Sequence, residues 1–259
     1  MSETLWRLRV VHGIGWRIYL DEYPPKIFAL TYLPRAVLQA LFFVFLVGAA
    51  GAPGGQRFAV VGVAAVAMTL FTVMTVEDVT ALEGYSGTYH RHRTAVVGTY
   101  AVFAQRSVPH VVAGVATAVV VIATVGPLTG NADLSARLIP VLPIYVLMAV
   151  TCAASGLAMG ILVSLRGNGT LVGNLLSYLI LAFSGAVVPV ERLGPLADVG
   201  SVLPMTHGIS AIRMILDGRN GVAQLSAEVV VGVCWAALGW IILQLQHQRT
   251  RRSGIEDFG

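Results

Sequence analysis

The chain has 259 residues, of which 56% are hydrophobic and only 12% are charged, and its mean hydropathy is +0.77. Soluble domains carry about a quarter charged residues, so this composition excludes an ordinary soluble domain and predicts a protein solvated largely by lipid. The 17 basic residues give a net charge of +4 but are scattered between apolar runs, which argues against a nucleic-acid partner.

The N-terminal segment, residues 1–26, carries several charges and no compact apolar stretch, so it is unlike a cleavable signal peptide. Val10, Val11, Ile14 and Ile18 share one arc of a helix, which predicts a cytoplasmic helix lying in the membrane interface. An ordinary solvated helix is the alternative. The pair of prolines that follows ends the segment on either view.

Six later runs are long enough for membrane spans, since a helix needs about 20 largely apolar residues to cross a hydrocarbon core of about 30 Å. Their approximate bounds are Ile27–Ala50, Phe58–Val76, Val108–Gly126, Leu138–Leu165, Leu171–Val188 and Ala227–Leu245. They predict an all-α membrane protein with a six-helix transmembrane domain over residues 27–245. A cytoplasmic tail, residues 246–259, follows.

The distribution of arginine and lysine predicts the orientation, because basic residues are retained on the cytoplasmic side. With the N-terminus inside, the inner segments hold 12 of the 17 basic residues. Both termini are therefore expected in the cytoplasm, which requires an even number of spans.

Several sites are excluded by their missing motifs. The phosphate-binding pattern G-x-x-x-x-G-K-[ST] occurs nowhere, so the chain is not expected to bind ATP through a P-loop. The histidines of the stretch 90–93 alternate with arginines and lack the spacing of a metal site. Cys152 and Cys234 lie in apolar runs and are interpreted as packing residues. We expect no catalytic, cofactor or metal site.

Charged residues are scarce within the six runs. Arg35 and Glu228 lie near the ends of their runs, where both are expected to reach the interface. A carrier driven by an ion gradient needs a buried ionisable relay, so this pattern weakens that class and places the energy source on another chain.

The long inner connection, residues 77–107, combines an acidic residue, a Gly-Thr pair and closely spaced arginines. Its candidate coupling residues are Glu83, Gly87, Thr88, Tyr89, Arg91, Arg93 and Val97. They allow a short partner-binding helix. A plain solvated loop is the alternative that the loop alone leaves open.

The long outer connection, residues 189–226, is rich in proline and contains helically spaced isoleucines. The residues of interest are Ser184, Gly185, Pro189, Pro195, Pro204, Thr206, His207 and Arg213. The prolines break any continuous spanning helix, while Ile209, Ile212 and Ile215 allow a half-inserted amphipathic helix.

Together these two segments resemble the ABC-2 type transporter permeases, above all the drug-resistance and nodulation-factor branch. The resemblance implies that the inner loop docks as a coupling helix on a separate ABC ATPase, which binds ATP and magnesium. It implies short re-entrant helices between spans five and six, and pairing with a second permease copy or paralogue. It also implies a multi-pass protein of a prokaryotic inner or plasma membrane.

The expected function is outward movement of an amphipathic drug-like, peptide or lipid-like substrate, powered by the ATPase partner. Export of a lipid-linked cell-surface polysaccharide is the closest alternative. A self-sufficient carrier or channel and a membrane-bound enzyme or assembly factor are alternatives from other classes. The small residues Gly156, Gly160 and Ser164 allow close helix approach, either between subunits or within one.

Overall fold

The computed structural model describes residues 3–51, 54–85, 97–163 and 169–253. Within these ranges the chain forms helices and turns and no strand, so the predicted all-α membrane fold is confirmed. The helices are α1 Glu3–Glu22, α2 Pro25–Ala49, α3 Gly55–Tyr85, α4 Thr99–Leu128, α5 Ala132–Leu138, α6 Leu142–Val163, α7 Gly169–Phe183, α8 Ala197–Ser201, α9 Thr206–Leu216 and α10 Val222–Ser253. A π-helical turn at Phe28–Tyr32 interrupts α2.

Five of the described helical segments are long and apolar enough to cross a membrane. They are α2, α3, α4, the segment Ala132–Val163 and the part of α10 over Val222–Gln248. A bent pair, Gly194–Ser201 with α9, raises the number to six if it counts as one span. The charge bias predicts that the C-terminal end of α3 faces the cytoplasm, so we call that end of the bundle the inner end and the opposite one the outer end.

The fifth predicted span is shorter as a helix than its apolar run. α7 has 15 residues, about 22 Å, and the chain turns sharply after it at Gly185, whose φ of 78° favours glycine. α7 runs antiparallel to α3, with Gly173 against Glu77 and Ala186 against Gly62. The segment 173–186 therefore spans the same depth of the bundle as residues 62–77 of α3.

α3 is the central helix of the bundle. Its most apolar window is 83% buried within the chain, against 11% for α2 and for α10. Small residues of α6 allow the close packing, because a Cβ on Gly156 or Gly160 would lie 2.9 or 2.7 Å from a carbonyl oxygen of α3. These glycines therefore serve packing within one chain. Ser164 lies outside the described residues.

α1 packs along α4 through a face that the apolar arc did not indicate. Gly15 and Tyr19 are buried, and a Cβ on Gly15 would lie 3.0 Å from the Cα of Arg106. Val10 and Ile14, from the predicted arc, stay 41% and 46% exposed. α1 is therefore docked on the bundle, and its exposed apolar side suits the membrane interface.

Both helices beside the long inner connection extend beyond their predicted bounds. α3 continues to Tyr85 and α4 begins at Thr99, although the apolar runs predicted a loop over residues 77–107. The added turns carry charged side chains that have packing or ion-pair partners, which hydropathy cannot detect. Residues 86–96 lie outside the described ranges.

The outer segment between α7 and α10 is broken into short pieces, as its prolines predicted. Two 3-10 turns, Val190–Arg192 and Gly194–Leu196, precede α8 and α9. The chain bends by 104° between the pieces before and after Pro204. Ile209 and Ile212 of α9 are fully buried, so the apolar side of this helix faces the bundle.

Candidate functional site

A cavity of about 360 Å³ lies between α2, α3 and α7 in the inner half of the bundle. Near the inner end its wall carries Asp78 from α3 and Asn174 from α7. Arg35 of α2 lies three residues beyond Tyr32, whose ring contacts Phe71, so it is about level with Ala67 and Leu70 of α3. The cavity, which we call the inner cavity, thus carries charged side chains at two depths with apolar side chains beside them.

Aromatic rings build one side of the inner cavity. The rings of Tyr23 and Tyr32 lie 5.7 Å apart, and each lies within 6.0 Å of the Phe71 ring. The Tyr23 hydroxyl donates a hydrogen bond to Asp78 at 3.5 Å. Burial, assisted by the charge of Asp78, raises the pKa of Tyr23 well above its usual range. This phenol is therefore a neutral donor at physiological pH.

A second recess, of about 400 Å³, lies at the inner end between α1, the end of α3 and the start of α4. We call it the coupling groove. The carboxylate of Glu83 and the guanidinium of Arg106 form an ion pair there, and their side chains are only 13% and 9% exposed. This pair joins the last turns of α3 to the first turns of α4.

The structure places two predicted coupling residues in the coupling groove. Glu83 and Val97 both line it, next to Trp6 and Val10 of α1. The other five, Gly87, Thr88, Tyr89, Arg91 and Arg93, lie outside the described residues. Their role stays a prediction.

At the outer end, Glu228 of α10 is fully buried and holds the start of α9. Its Oε1 accepts hydrogen bonds from the Thr151 hydroxyl at 2.5 Å and from the Met205 amide at 2.8 Å. Its Oε2 accepts one from the Gly208 amide at 2.9 Å. A carboxylate at a helix N-terminus satisfies the free amides and the helix dipole, so Glu228 acts as the cap that α9 lacks in its own sequence.

Arg213 of α9 ties this helix to the outer ends of α3 and α7. Its guanidinium donates to the carbonyl oxygens of Gly185 at 2.7 Å, Phe58 at 3.2 Å and Ala186 at 3.3 Å. It also lies 3.4 Å above the centre of the Phe58 ring. The structure therefore brings together two predicted outer residues, Arg213 and Gly185.

The last turn of α9 has a cationic partner as well. Arg137 of α5 donates a hydrogen bond to the carbonyl oxygen of Leu216. An anion at the start and a cation at the end both complement the helix dipole. The helix is thus held at both termini and, through Arg213, along its side.

The other predicted outer residues are spread around this anchor. His207 contacts the Gln224 side chain at 2.9 Å and the Ser201 carbonyl at 3.0 Å. The Ser184 hydroxyl accepts a bond from the Ala186 amide at 3.4 Å, and the Thr206 hydroxyl has no hydrogen-bond partner in the described chain.

The three predicted prolines stand at breaks of the chain. Pro189 precedes the first 3-10 turn and Pro195 lies in the second. Pro204 comes directly before Met205, the only non-glycine residue with positive φ, 66°, in the described ranges. These prolines shape the segment, and the side chains beside them supply its hydrogen bonds.

The expectation that Glu228 reaches the interface is wrong, because three donors hold its carboxylate inside the bundle. Glu77 is also buried, at 5% exposure, since α3 extends past its apolar run. Buried acids therefore exist on the spans. In the sequence, each of these acids lies within one turn of the end of an apolar run. Hydropathy takes such a residue as the boundary of the span and therefore does not reveal that it is buried.

Comparison with known proteins identifies one family. A family model described as ABC-2 type transporter matches residues 25–216, which is well over half of the chain. The match runs from the start of α2 to the end of α9. No curated protein and no solved structure matches the chain.

Proposed function

Because the chain belongs to the ABC-2 type transporter family, and is thus a membrane permease component that pairs with an ABC ATPase, we propose that it exports an amphipathic substrate. The substrate class comprises drug-like molecules, hydrophobic peptides and lipid-like molecules. The direction is from the cytoplasm or inner leaflet outward. The hydrolysis of ATP takes place on the partner.

The observation that carries the proposal is the inner cavity. Its wall combines the charged residues Asp78 and Arg35 with apolar side chains such as Leu70, which suits a molecule that has a polar and an apolar part. Its volume of about 360 Å³ falls in the range of about 300–1,000 Å³ that suits small-molecule ligands. This volume suits a drug-sized or lipid-like cargo.

The coupling groove supplies a route for force from the ATPase. The Glu83–Arg106 ion pair joins the two helices that flank the inner loop, and Gly15 of α1 packs against Arg106. We expect ATP binding to draw the loops of two permeases together and hydrolysis to release them. The movement would then reach α3, which lines the inner cavity.

Two copies, identical or paralogous, would form the complete path. α2 and α10 are only 11% buried within one chain and expose large apolar side chains, among them Phe42 at 60% and Val233 at 62%. Lipid or a second permease must cover these faces.

We place the protein in a prokaryotic plasma membrane.

A carrier driven by an ion gradient receives less support. Glu228 is buried, but three hydrogen bonds engage its carboxylate and it caps a helix. Such a group has a structural role, since its oxygens are occupied by donors that fix the start of α9. The energy source is therefore placed on the ATPase.

The proposal is tested by co-expressing the tagged chain with ABC ATPase subunits of its own organism and reconstituting the purified complex in liposomes. ATP added on the ATPase side should drive doxorubicin, a fluorescent amphipath, into the lumen. Replacing Arg91 and Arg93 with alanine should abolish transport, because the coupling contact is lost. The matched control is Arg192→Ala, an exposed arginine at the outer end, which should transport normally.

Either of two results would overturn the exporter function. One is a chain that never co-purifies with an ABC ATPase. The other is a complex that hydrolyses ATP but moves no doxorubicin. Transport that survives the loss of both arginines would overturn their coupling role alone.

A further inference from the structure

Two opposite charges face the inner cavity and do not neutralise each other. Arg35 on α2 and Asp78 on α3 are both exposed on its wall, yet within the described residues they form no ion pair. Charged side chains on membrane spans are costly and are retained for a role. An arginine that only reaches toward the interface would need no acid on the facing wall.

The surroundings of Asp78 suit an organic cation. Tyr23, whose hydroxyl bonds Asp78, belongs to a cluster of three rings with Tyr32 and Phe71 on the same cavity wall. Aromatic faces attract ammonium groups, and a carboxylate at the same place adds a direct charge partner. Because the Tyr23 hydroxyl donates its proton toward Asp78, that carboxylate is oriented on the ring side.

The surroundings of Arg35 suit an anion. A guanidinium presents a planar set of donors that matches a phosphate or carboxylate. Gln39, one turn farther along α2, and Asn174 of α7 add amide groups to the same cavity wall. Neither amide has a hydrogen-bond partner within the described chain.

A buried hydroxyl on α7 also points to a polar ligand. Ser177 lines the inner cavity, is only 2% exposed, and its Oγ has no hydrogen-bond partner among the described residues. Buried hydroxyls normally find a partner. This atom is therefore available to a group that enters the cavity.

The two charges lie at different depths of the cavity. Asp78 is near the inner end, whereas Arg35, three residues beyond Tyr32, is about level with Ala67 and Leu70 of α3. An acid and a base at two depths would engage two groups of opposite charge on one molecule, and the apolar side chains beside Arg35 would contact its apolar part.

From these placements we propose that the inner cavity recognises a zwitterionic headgroup on an amphipathic molecule. The amine or quaternary ammonium lies against Asp78 and the three rings, and the phosphate or carboxylate lies against Arg35. The inference rests on the proposed function, because it assigns this cavity to the exported cargo.

The test compares three amphipaths with the same chain: dodecylphosphocholine, dodecyltrimethylammonium and dodecyl phosphate. Each displaces a dansyl-labelled lysophosphocholine from the purified permease in nanodiscs of phosphatidylglycerol. We expect dodecylphosphocholine to bind at least about tenfold more tightly than either probe with one charged group, since only dodecylphosphocholine engages both Asp78 and Arg35.

Variants separate the two halves of the site. Asp78→Asn should weaken the binding of dodecylphosphocholine and of dodecyltrimethylammonium about tenfold and leave the binding of dodecyl phosphate unchanged. Arg35→Gln should weaken the binding of dodecylphosphocholine and of dodecyl phosphate. Asp198→Asn and Arg57→Gln, on exposed outer residues, are matched controls. A thermal unfolding curve for each variant verifies folding. Equal affinity for the three probes, or affinities that neither Asp78→Asn nor Arg35→Gln changes, would overturn the proposal.

Transport by the reconstituted complex separates an exported cargo from a resident bilayer lipid. ATP-driven movement of dodecylphosphocholine in preference to the other probes supports the inference. Equal transport of all three would leave the exporter function intact and overturn headgroup recognition. Selective binding without ATP-driven movement of any probe would overturn the assignment of the cavity to cargo.

Discussion

The outer and inner ends of the bundle use their charged side chains in opposite ways. At the outer end, Glu228 and Arg213 are enclosed and bind backbone groups of the segment around α9. In the inner half, Asp78 and Arg35 face a cavity and form no ion pair with each other. The outer charges thus complete the local fold, whereas the inner charges keep capacity for the ligand that we propose.

This difference also explains why burial alone does not identify a binding site. Glu228 is the more deeply buried acid, yet its hydrogen bonds are complete, so it has no capacity for cargo. Asp78 is more exposed and has one weak hydrogen bond, at 3.5 Å. The two carboxylates therefore differ in how many hydrogen bonds they accept, and burial does not show which one is free to bind a ligand.

Removing the outer carboxylate is expected to have the largest effect on stability. Glu228→Ala leaves the Thr151 hydroxyl and the amides of Met205 and Gly208 without their acceptor, and each unsatisfied buried donor costs about 1–3 kcal/mol. We therefore expect the free energy of unfolding to fall by at least about 3 kcal/mol. Chemical denaturation in detergent measures it, with the exposed Glu191→Ala as control.

Arg213→Ala is expected to destabilise the outer end to a lesser degree. It removes the bonds to three carbonyl oxygens and the contact with the Phe58 ring, together about 2–3 kcal/mol. Arg213→Lys should recover part of the loss because it keeps the charge but not the planar donor set. An alanine variant as stable as the parent would show that the outer end is not anchored here.

The ion pair of the coupling groove should matter more for transport than for folding. Arg106→Ala leaves Glu83 partly buried without this partner, and we expect ATP-driven transport to fall about tenfold or more. The exchange variant Glu83→Arg with Arg106→Glu should recover part of the rate if the contact itself transmits force. If the exchange variant binds the ATPase fully but recovers no transport, the ion pair does not transmit force and Arg106 has a steric role.

Neutralising the inner charges should barely change stability. Asp78→Asn and Arg35→Gln are each expected to alter the free energy of unfolding by less than about 0.5 kcal/mol, because neither charge has a strong internal partner. The same denaturation experiment as for Glu228 gives the comparison directly. A loss as large as that of Glu228→Ala would erase the distinction between the two ends.

The smallest expected effect is a pH dependence of α1. Burial and the nearby charge of Asp78 raise the pKa of Glu22 above its ordinary 4.5, while Arg106 opposes the shift. The folded state thus binds the proton more tightly, so docking of α1 is most stable below about pH 4.5 and weakens as the pH rises through the raised pKa. Hydrogen exchange of α1 amides should show this trend, and Glu22→Gln should remove it.

Much of the fold was predictable because lipid imposes long apolar helices. The runs identified every long span, and Pro189, Pro195 and Pro204 identified the broken outer segment. The ends of α3 and α4 were not predictable. Glu83 and Arg106 look like loop residues until each is seen to pair with the other.

The sequence by itself determined the membrane class, the order of the helices, the two long connections and the family, because these depend on composition and local motifs. Only the tertiary structure decided which charges are satisfied. Glu228 and Asp78 are both acids near the end of an apolar run, and their sequences do not distinguish them. Glu228 accepts hydrogen bonds from three donors on two other helical segments, whereas Asp78 faces a cavity. This difference arises only when the helices pack.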